Sequence, residues 1–158
     1  MDHDSFYRAW HPRLFGYLAR MTGDRELSLD IAQESFARCL ARYGGLEDAR
    51  PVLFAIARNL VFDHHRRSGR EFLLDPEPVA DSSTPDPEEA LLQREASRRL
   101  LKALESLPAP EREVLSLAVG RSLSYQEIAR ICGISEANVK VRVHRARRKL
   151  RSLLEEEP

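Results

Sequence analysis

SYQEIARICGISEANVKVRVHRARRKLRSLL, residues Ser124 to Leu154, decides how the rest of this chain is read. It holds two short helical patterns separated by a turn. Ser124 stands at an N-cap position with Glu127 three residues on, so the pair can satisfy two orphan amide donors as a capping box and start a helix. Ile128, Ala129, Ile131 and Cys132 give that helix an apolar side, Gly133 supplies the permissive backbone that ends it, and Ser135 offers the next N-cap. In the second helix Val139, Val143, Ala146 and Leu150 recur at helical spacing and predict one buried face. The other faces are basic: Lys140, Arg142, Arg145, Arg147, Arg148, Lys149 and Arg151, with no acid between Ala137 and Leu154.

A capped helix, a Gly-containing turn and a second helix with a basic exposed side is the arrangement of a helix-turn-helix, which sets its second helix in the DNA major groove. A basic face alone is commonly just a solvated surface; the cap and the turn are what favour DNA. Glu136, Asn138, Lys140, Val141, His144 and Arg145 are placed to reach bases or phosphates. The last-turn arginines suit phosphates, which carry no sequence information.

The formal net charge of zero conceals a segregation. Residues 71–93 hold seven acids and no Lys or Arg, and Glu155, Glu156 and Glu157 follow at the end. Setting those ten aside leaves 15 acids against 25 basic residues, a surplus that suits a polyanionic partner. Cys39 and Cys132 are isolated within apolar helical patterns and read as buried reduced thiols of a cytoplasmic protein. The acidic start lacks the regions of a signal peptide, and no apolar run reaches the length of a membrane span, so membrane insertion is not expected.

From the beginning of the chain, Phe6, Trp10, Leu14, Leu18 and Met21 predict a first amphipathic helix that Thr22-Gly23-Asp24 breaks. A second helix, Glu26 to Arg42, turns Ile31, Ser35, Phe36, Cys39, Leu40 and the following Tyr43 to a core, and shows Asp30, Gln33, Glu34 and Arg38 outside. After Gly44-Gly45, Pro51 opens a third helix to about Arg67, with Leu53, Ile56, Ala57, Leu60, Val61 and His64 inward. Its expected surface interleaves Phe54, Arg58, Phe62 and Arg66, a spacing that suits stacking on a single strand as well as ordinary packing. Ser68-Gly69 closes this unit, and the acidic segment with four of the nine prolines reads as an extended linker. A fourth helix, about Pro87 to Leu107, carries Leu91, Leu92, Leu100, Leu101 and Leu104, and a fifth from Pro110 turns Val114, Leu115 and Ala118 inward. The fold class is all-α: two small helical domains, 1–70 and 94–158, joined by the acidic linker 71–93.

These residues leave three functions open. One is a stand-alone helix-turn-helix transcriptional regulator whose first half senses a ligand or dimerises. Another is a small helical enzyme using Asp63, His64 and His65. Adjacent imidazoles diverge on a helix and no H-E-x-x-H spacing exists, so neither a metal nor another cofactor is expected, and no nucleophile–base set converges.

The third is the one the whole arrangement resembles: the extracytoplasmic-function sigma factors of the sigma-70 superfamily. The resemblance rests on TGDRELSLDIAQESFARCL (Thr22–Leu40), ARPVLFAIARNLVFDHHRR (Ala49–Arg67) and LESLPAPEREVLSLAVGRSLSYQEIARICGISEANVKVRVHRARRKLR (Leu104–Arg151), in that order. It implies a non-catalytic promoter-specificity subunit of bacterial RNA polymerase, with the first domain as region 2 and the last as region 4. Asp30, Gln33 and Glu34 are then expected to dock on the clamp helices of core RNA polymerase. Arg58, Asn59, Asp63, Arg66 and Arg67, with the loop Tyr43–Pro51, are expected to engage the melted −10 promoter strand. Ser135, Glu136, Asn138, Lys140, Val141, Arg142, His144, Arg145 and Arg148 are expected to meet the −35 duplex. Kinship also implies an anti-sigma partner.

Overall fold

The computed structural model describes residues 2–42, 49–68 and 86–156, and among them every regular element is helical. The α-helices are α1 His3–Thr22, α2 Arg25–Arg42, α3 Ala49–Ser68, α4 Pro87–Glu105, α5 Ala109–Ala118, α6 Tyr125–Cys132 and α7 Glu136–Glu156, with a 3-10 turn at Val119–Arg121. Tyr43, Gly44-Gly45 and the rest of loop 43–48, Gly69, linker residues 71–85 and Glu157 lie outside the described residues. Residues 87–93 form the first turns of α4.

The first corner is built from local polar chemistry. Asp2 starts α1 by accepting from the Ser5 amide at 2.7 Å, and Gly23 ends it in the left-handed region at φ 66°. Asp24 then caps α2 by accepting from the Leu27 amide at 3.1 Å. The Thr22 and Ser28 hydroxyls bond each other at 2.8 Å beneath the turn, so it is buried with these groups paired.

Helices α1, α2 and α3 close around Phe6, Trp10, Leu14, Leu18, Phe36 and Leu53, all buried. Phe54, expected on the surface, is buried too: its ring meets Trp10 edge-on at 6.1 Å and Tyr17 at 5.8 Å. It cannot serve as a stacking platform, because α3 is covered by α1, α2 and α6 and its apolar stripe is wider than two neighbours would require. His64, expected inside, is exposed; the buried run of α3 ends at Val61, and its last turn projects past the core. The helix also starts two residues earlier than Pro51, which falls within its first turn.

The second half is organised as expected around the helix-turn-helix. Glu127 donates its amide to Ser124 Oγ at 3.1 Å and accepts from the Ser124 amide at 3.0 Å, completing the capping box. Gly133 ends α6 at φ 69°, and Ser135 starts α7 by accepting from the Asn138 amide at 3.1 Å. Val139, Val143 and Ala146 are buried against α5, α6 and α4, with Leu150 partly so. Buried Arg112 donates to the Leu107 carbonyl at 3.2 Å, holding the corner between α4 and α5. On α4 only Ala103 and Leu104 are buried, and Leu91 and Leu92 stand 56% and 61% exposed, because α7 reaches only the later part of that helix.

The halves are not separate. α1 packs on α5 and α3 on α6, and one apolar cluster runs from Phe6 through Val114 to Val143.

Ser124→Ala removes one side of the capping box at an exposed position. It is expected to lower unfolding free energy by about 1 kcal/mol, read as a shift of the urea midpoint at unchanged slope; no shift would show that the cap does not stabilise α6.

Candidate nucleic-acid interface

The rotation of α7 is set by its apolar stripe, and the cations follow from it. With Val139, Val143 and Ala146 inward, Lys140, His144, Arg145, Arg147, Arg148 and Arg151 are exposed and Arg142 is half-buried. Val141, 44% exposed, stands among them. The first turn presents Glu136 and Asn138 to solvent, with Glu136 lying 3.9 Å from Lys140 in an exposed pair of little energetic weight. Lys149 is different: it turns toward α5 and pairs with the Glu111 carboxylate at 3.0 Å. Beside that pair Arg145, Arg148 and Ser152 line an open depression of about 520 Å³. Of the nine −35 residues expected from the resemblance, Ser135 caps α7 and the other eight lie on the helix itself, away from its buried stripe, with Arg142 half-buried at the edge. The exposed Lys and Arg side chains of this helix form a positive field of the sign that attracts a polyanion.

On α2, Asp30, Gln33 and Glu34 are all exposed and share the side away from the core. Glu34 accepts from Arg38 Nε at 2.8 Å, both more than half exposed. An exposed pair one turn apart contributes roughly 0.3–0.5 kcal/mol, so a partner's cation can replace Arg38 at small cost.

The α3 set is divided. Asn59, Arg66 and Arg67 are exposed, and half-buried Asp63 accepts from Arg66. Arg58 is half-buried: its guanidinium lies 4.5 Å from the Phe62 ring centre and pairs with Glu113, which comes from α5. Burial lowers the Arg58 pKa, but the hydrogen bond and charge of Glu113 outweigh that and hold it above the ordinary value. Glu113 also accepts from the Cys132 thiol at 3.3 Å. Burial, and then Glu113, push that thiol up to about 12, so it is protonated and a poor nucleophile at neutral pH.

Glu113 and Arg20 are the participants that sequence reasoning missed. Arg20 follows the buried Ala19 on α1 and donates to the Ser116 carbonyl at 2.9 Å; burial lowers its pKa to about 10, which leaves it charged. The available signal was a charged residue flanked by apolar ones on a short helix, as in Glu113-Val114-Leu115, and that pattern names no partner. No group of three or more potential metal-ligating side chains occurs among the described residues.

Residues 6–71 match the family description Sigma-70 region 2, and residues 97–150 match Sigma-70, region 4. The chain is 30% identical over 155 residues to the ECF RNA polymerase sigma factor SigM of Bacillus subtilis, covering 97% of this chain and 95% of that one. It is 35% identical over 150 residues to the ECF RNA polymerase sigma factor SigL of Mycobacterium tuberculosis, with 90% and 83% covered. Its fold resembles the sigma factor RpoE of Bartonella quintana, solved in complex with the anti-sigma factor NepR, at a TM-score of 0.76 and 22% identity over 98% of each chain. CnrH, solved with the cytosolic domain of CnrY, gives a TM-score of 0.68 at 23% identity over 99% and 89%. With a helix-turn-helix whose cations face solvent and matches to both regions in order, the chain belongs to the sigma-70 family as an RNA polymerase sigma factor of the extracytoplasmic-function type.

Proposed function

We propose that the work of this sigma factor is divided between residues 1–70, which bind core polymerase and the −10 element, and 94–158, which bind the −35 element, with 71–93 linking them. The observation that carries this is the outward basic face of α7 on a capped helix-turn-helix, opposite in sign to the exposed Asp30–Gln33–Glu34 side of α2. A positive helix suits the DNA groove, and an acidic helix side suits a basic surface on a protein partner.

In this reading Asp30, Gln33 and Glu34 dock on the clamp helices of core RNA polymerase. Ser135, Glu136, Asn138, Lys140, Val141, Arg142, His144, Arg145 and Arg148 take the −35 duplex. Long donors such as Lys140 and Arg145 pair with guanine acceptors in the major groove, and Arg148 holds phosphate. Arg58, Asn59, Asp63, Arg66 and Arg67 hold the opened −10 strand. Extruding a base costs a few kcal/mol, and contacts available only to the opened strand shift the equilibrium toward it. No bond is made or broken in this step, so the chain acts without catalysis. It works in the cytoplasm with the polymerase; no described helix is long and apolar enough to cross a membrane. One structural neighbour was solved with a protein named an anti-sigma factor, NepR, which supports an anti-sigma partner for this chain as well.

Asp30→Lys with Glu34→Lys is expected to abolish co-purification with core polymerase while circular dichroism stays unchanged, since both side chains are exposed. Undiminished co-purification would place the docking surface elsewhere. Arg145→Ala is expected to weaken duplex binding by roughly 1–3 kcal/mol with relaxed selectivity at one base pair. Equal losses on every sequence would make Arg145 a phosphate contact instead.

A further inference from the structure

Away from the seam where α1 and α3 meet α5 and α6, helix α4 carries two apolar stripes. The first is used within the chain: Leu101 and Leu104 share an apolar cluster with Ala146, Leu150 and Leu153 of α7. The second consists of Leu92, Ala96 and Leu100, which recur at intervals of four and lie about a third of a turn around the helix from the first. All three are exposed among the described residues, Leu92 to 61% and Leu100 to 40%. The helix that bears them is well started. Asp86 accepts from the Glu88 amide at 3.0 Å and Pro87 takes a first-turn position, so the outer stripe begins close to a capped end.

The charges beside the outer stripe are ordered along the helix. Glu88 and Glu95 precede Arg99 and Lys102 on one flank of it, acids toward the start and bases toward the end. That order makes the stripe self-complementary. When two copies lie antiparallel about a two-fold axis through Ala96, Leu92 of each opposes the partner's Leu100 and the two Ala96 side chains meet at the axis. Glu95 then falls beside the partner's Arg99, and Glu88 beside the partner's Lys102. A parallel pairing sets like charges against each other instead. The small side chain at the centre permits a separation of about 8 Å between helix axes, at which the flanking side chains reach across.

We propose that the outer stripe of α4 is a docking surface for a second copy of this chain, as an antiparallel α4–α4 pair centred on Ala96. The contact is weak by construction. Three apolar side chains from each copy bury less than a standard stable interface, so the pair forms at high local concentration and dissociates on dilution. Leu91, 56% exposed, lies nearly opposite Ala96 around the helix and stays in water in the pair.

Crosslinking of the full chain tests this. Ala96→Cys sets two thiols at the axis, near the Cβ separation of about 4 Å that a disulfide needs, and oxidised glutathione takes up their two electrons and protons as the bond forms. An inter-chain disulfide is expected in Ala96→Cys, and about 10-fold less of it in Arg98→Cys, which points away from the axis. Adding Leu92→Glu to Ala96→Cys is expected to remove most of the crosslink, whereas adding Leu91→Glu leaves it unchanged. Of the native thiols, Cys39 is buried and Cys132 half-buried, which keeps the background low. In sedimentation, wild type is expected to show an average mass that rises above 18.1 kDa with concentration. Circular dichroism is expected to show equal helicity throughout; if Leu92→Glu loses it, Ala96→Arg in the sedimentation series carries the comparison. Monomer mass at every concentration, equal crosslinking of Ala96→Cys and Arg98→Cys, or association that Leu92→Glu and Ala96→Arg leave intact would each overturn the pair. So would protection of the Ala96→Cys thiol from a soluble maleimide in the monomer, since another part of the chain would then cover the stripe.

Discussion

The packing of Val139, Val143 and Ala146 beneath α7 is the constraint on which the rest depends. Three buried side chains fix the rotation of the helix, and rotation decides where every cation points. Turned by half, the same helix would bury arginines against Val114 and Ile128, at a desolvation cost that no described partner offsets. The capping box and Gly133 fix where α7 begins, so the N-terminal turn that the proposal sets in the groove is positioned by local backbone chemistry. A weak stripe of small apolar residues thus positions a large charge, because the alternative rotations are so much worse.

Charge is used differently at three places. On α7 it is solvated and, among the described residues, unneutralised apart from Lys149 and the loose Glu136–Lys140 pair, which is how a surface attracts a polyanion at long range. On α2 it is acidic and loosely paired, which leaves it ready for exchange with a partner. At the seam it is buried and tightly paired, where it gives specificity to a contact between the halves at the expense of hydration. Overall neutrality is the sum of these uses and describes none of them.

Local chemistry was legible in the sequence. Ser124, Glu127, Gly133 and Ser135 act within four residues of themselves, so their spacing identifies their roles without reference to the rest of the chain. The exposed acidic side of α2 was legible because opposite faces of an amphipathic helix separate by period. Phe54 and His64 were misplaced because period locates a stripe and not its width or its end; α6 widens the covered side of α3, and the core stops before its last turn. Leu91 and Leu92 look like core in the same way, but no described element covers them. The Arg58–Glu113 bridge spans 55 positions, and neither residue carries a local signal of the other.

The central claim is that this chain confers promoter specificity on a polymerase that otherwise lacks it. Run-off transcription with bacterial core RNA polymerase on pooled genomic promoter fragments, with and without the protein, tests it most directly. The account predicts start sites that appear only with the protein and share paired upstream elements at the −35 and −10 positions. No new transcripts, together with sequence-specific duplex binding by the protein alone, would contradict it and make the chain a stand-alone helix-turn-helix regulator.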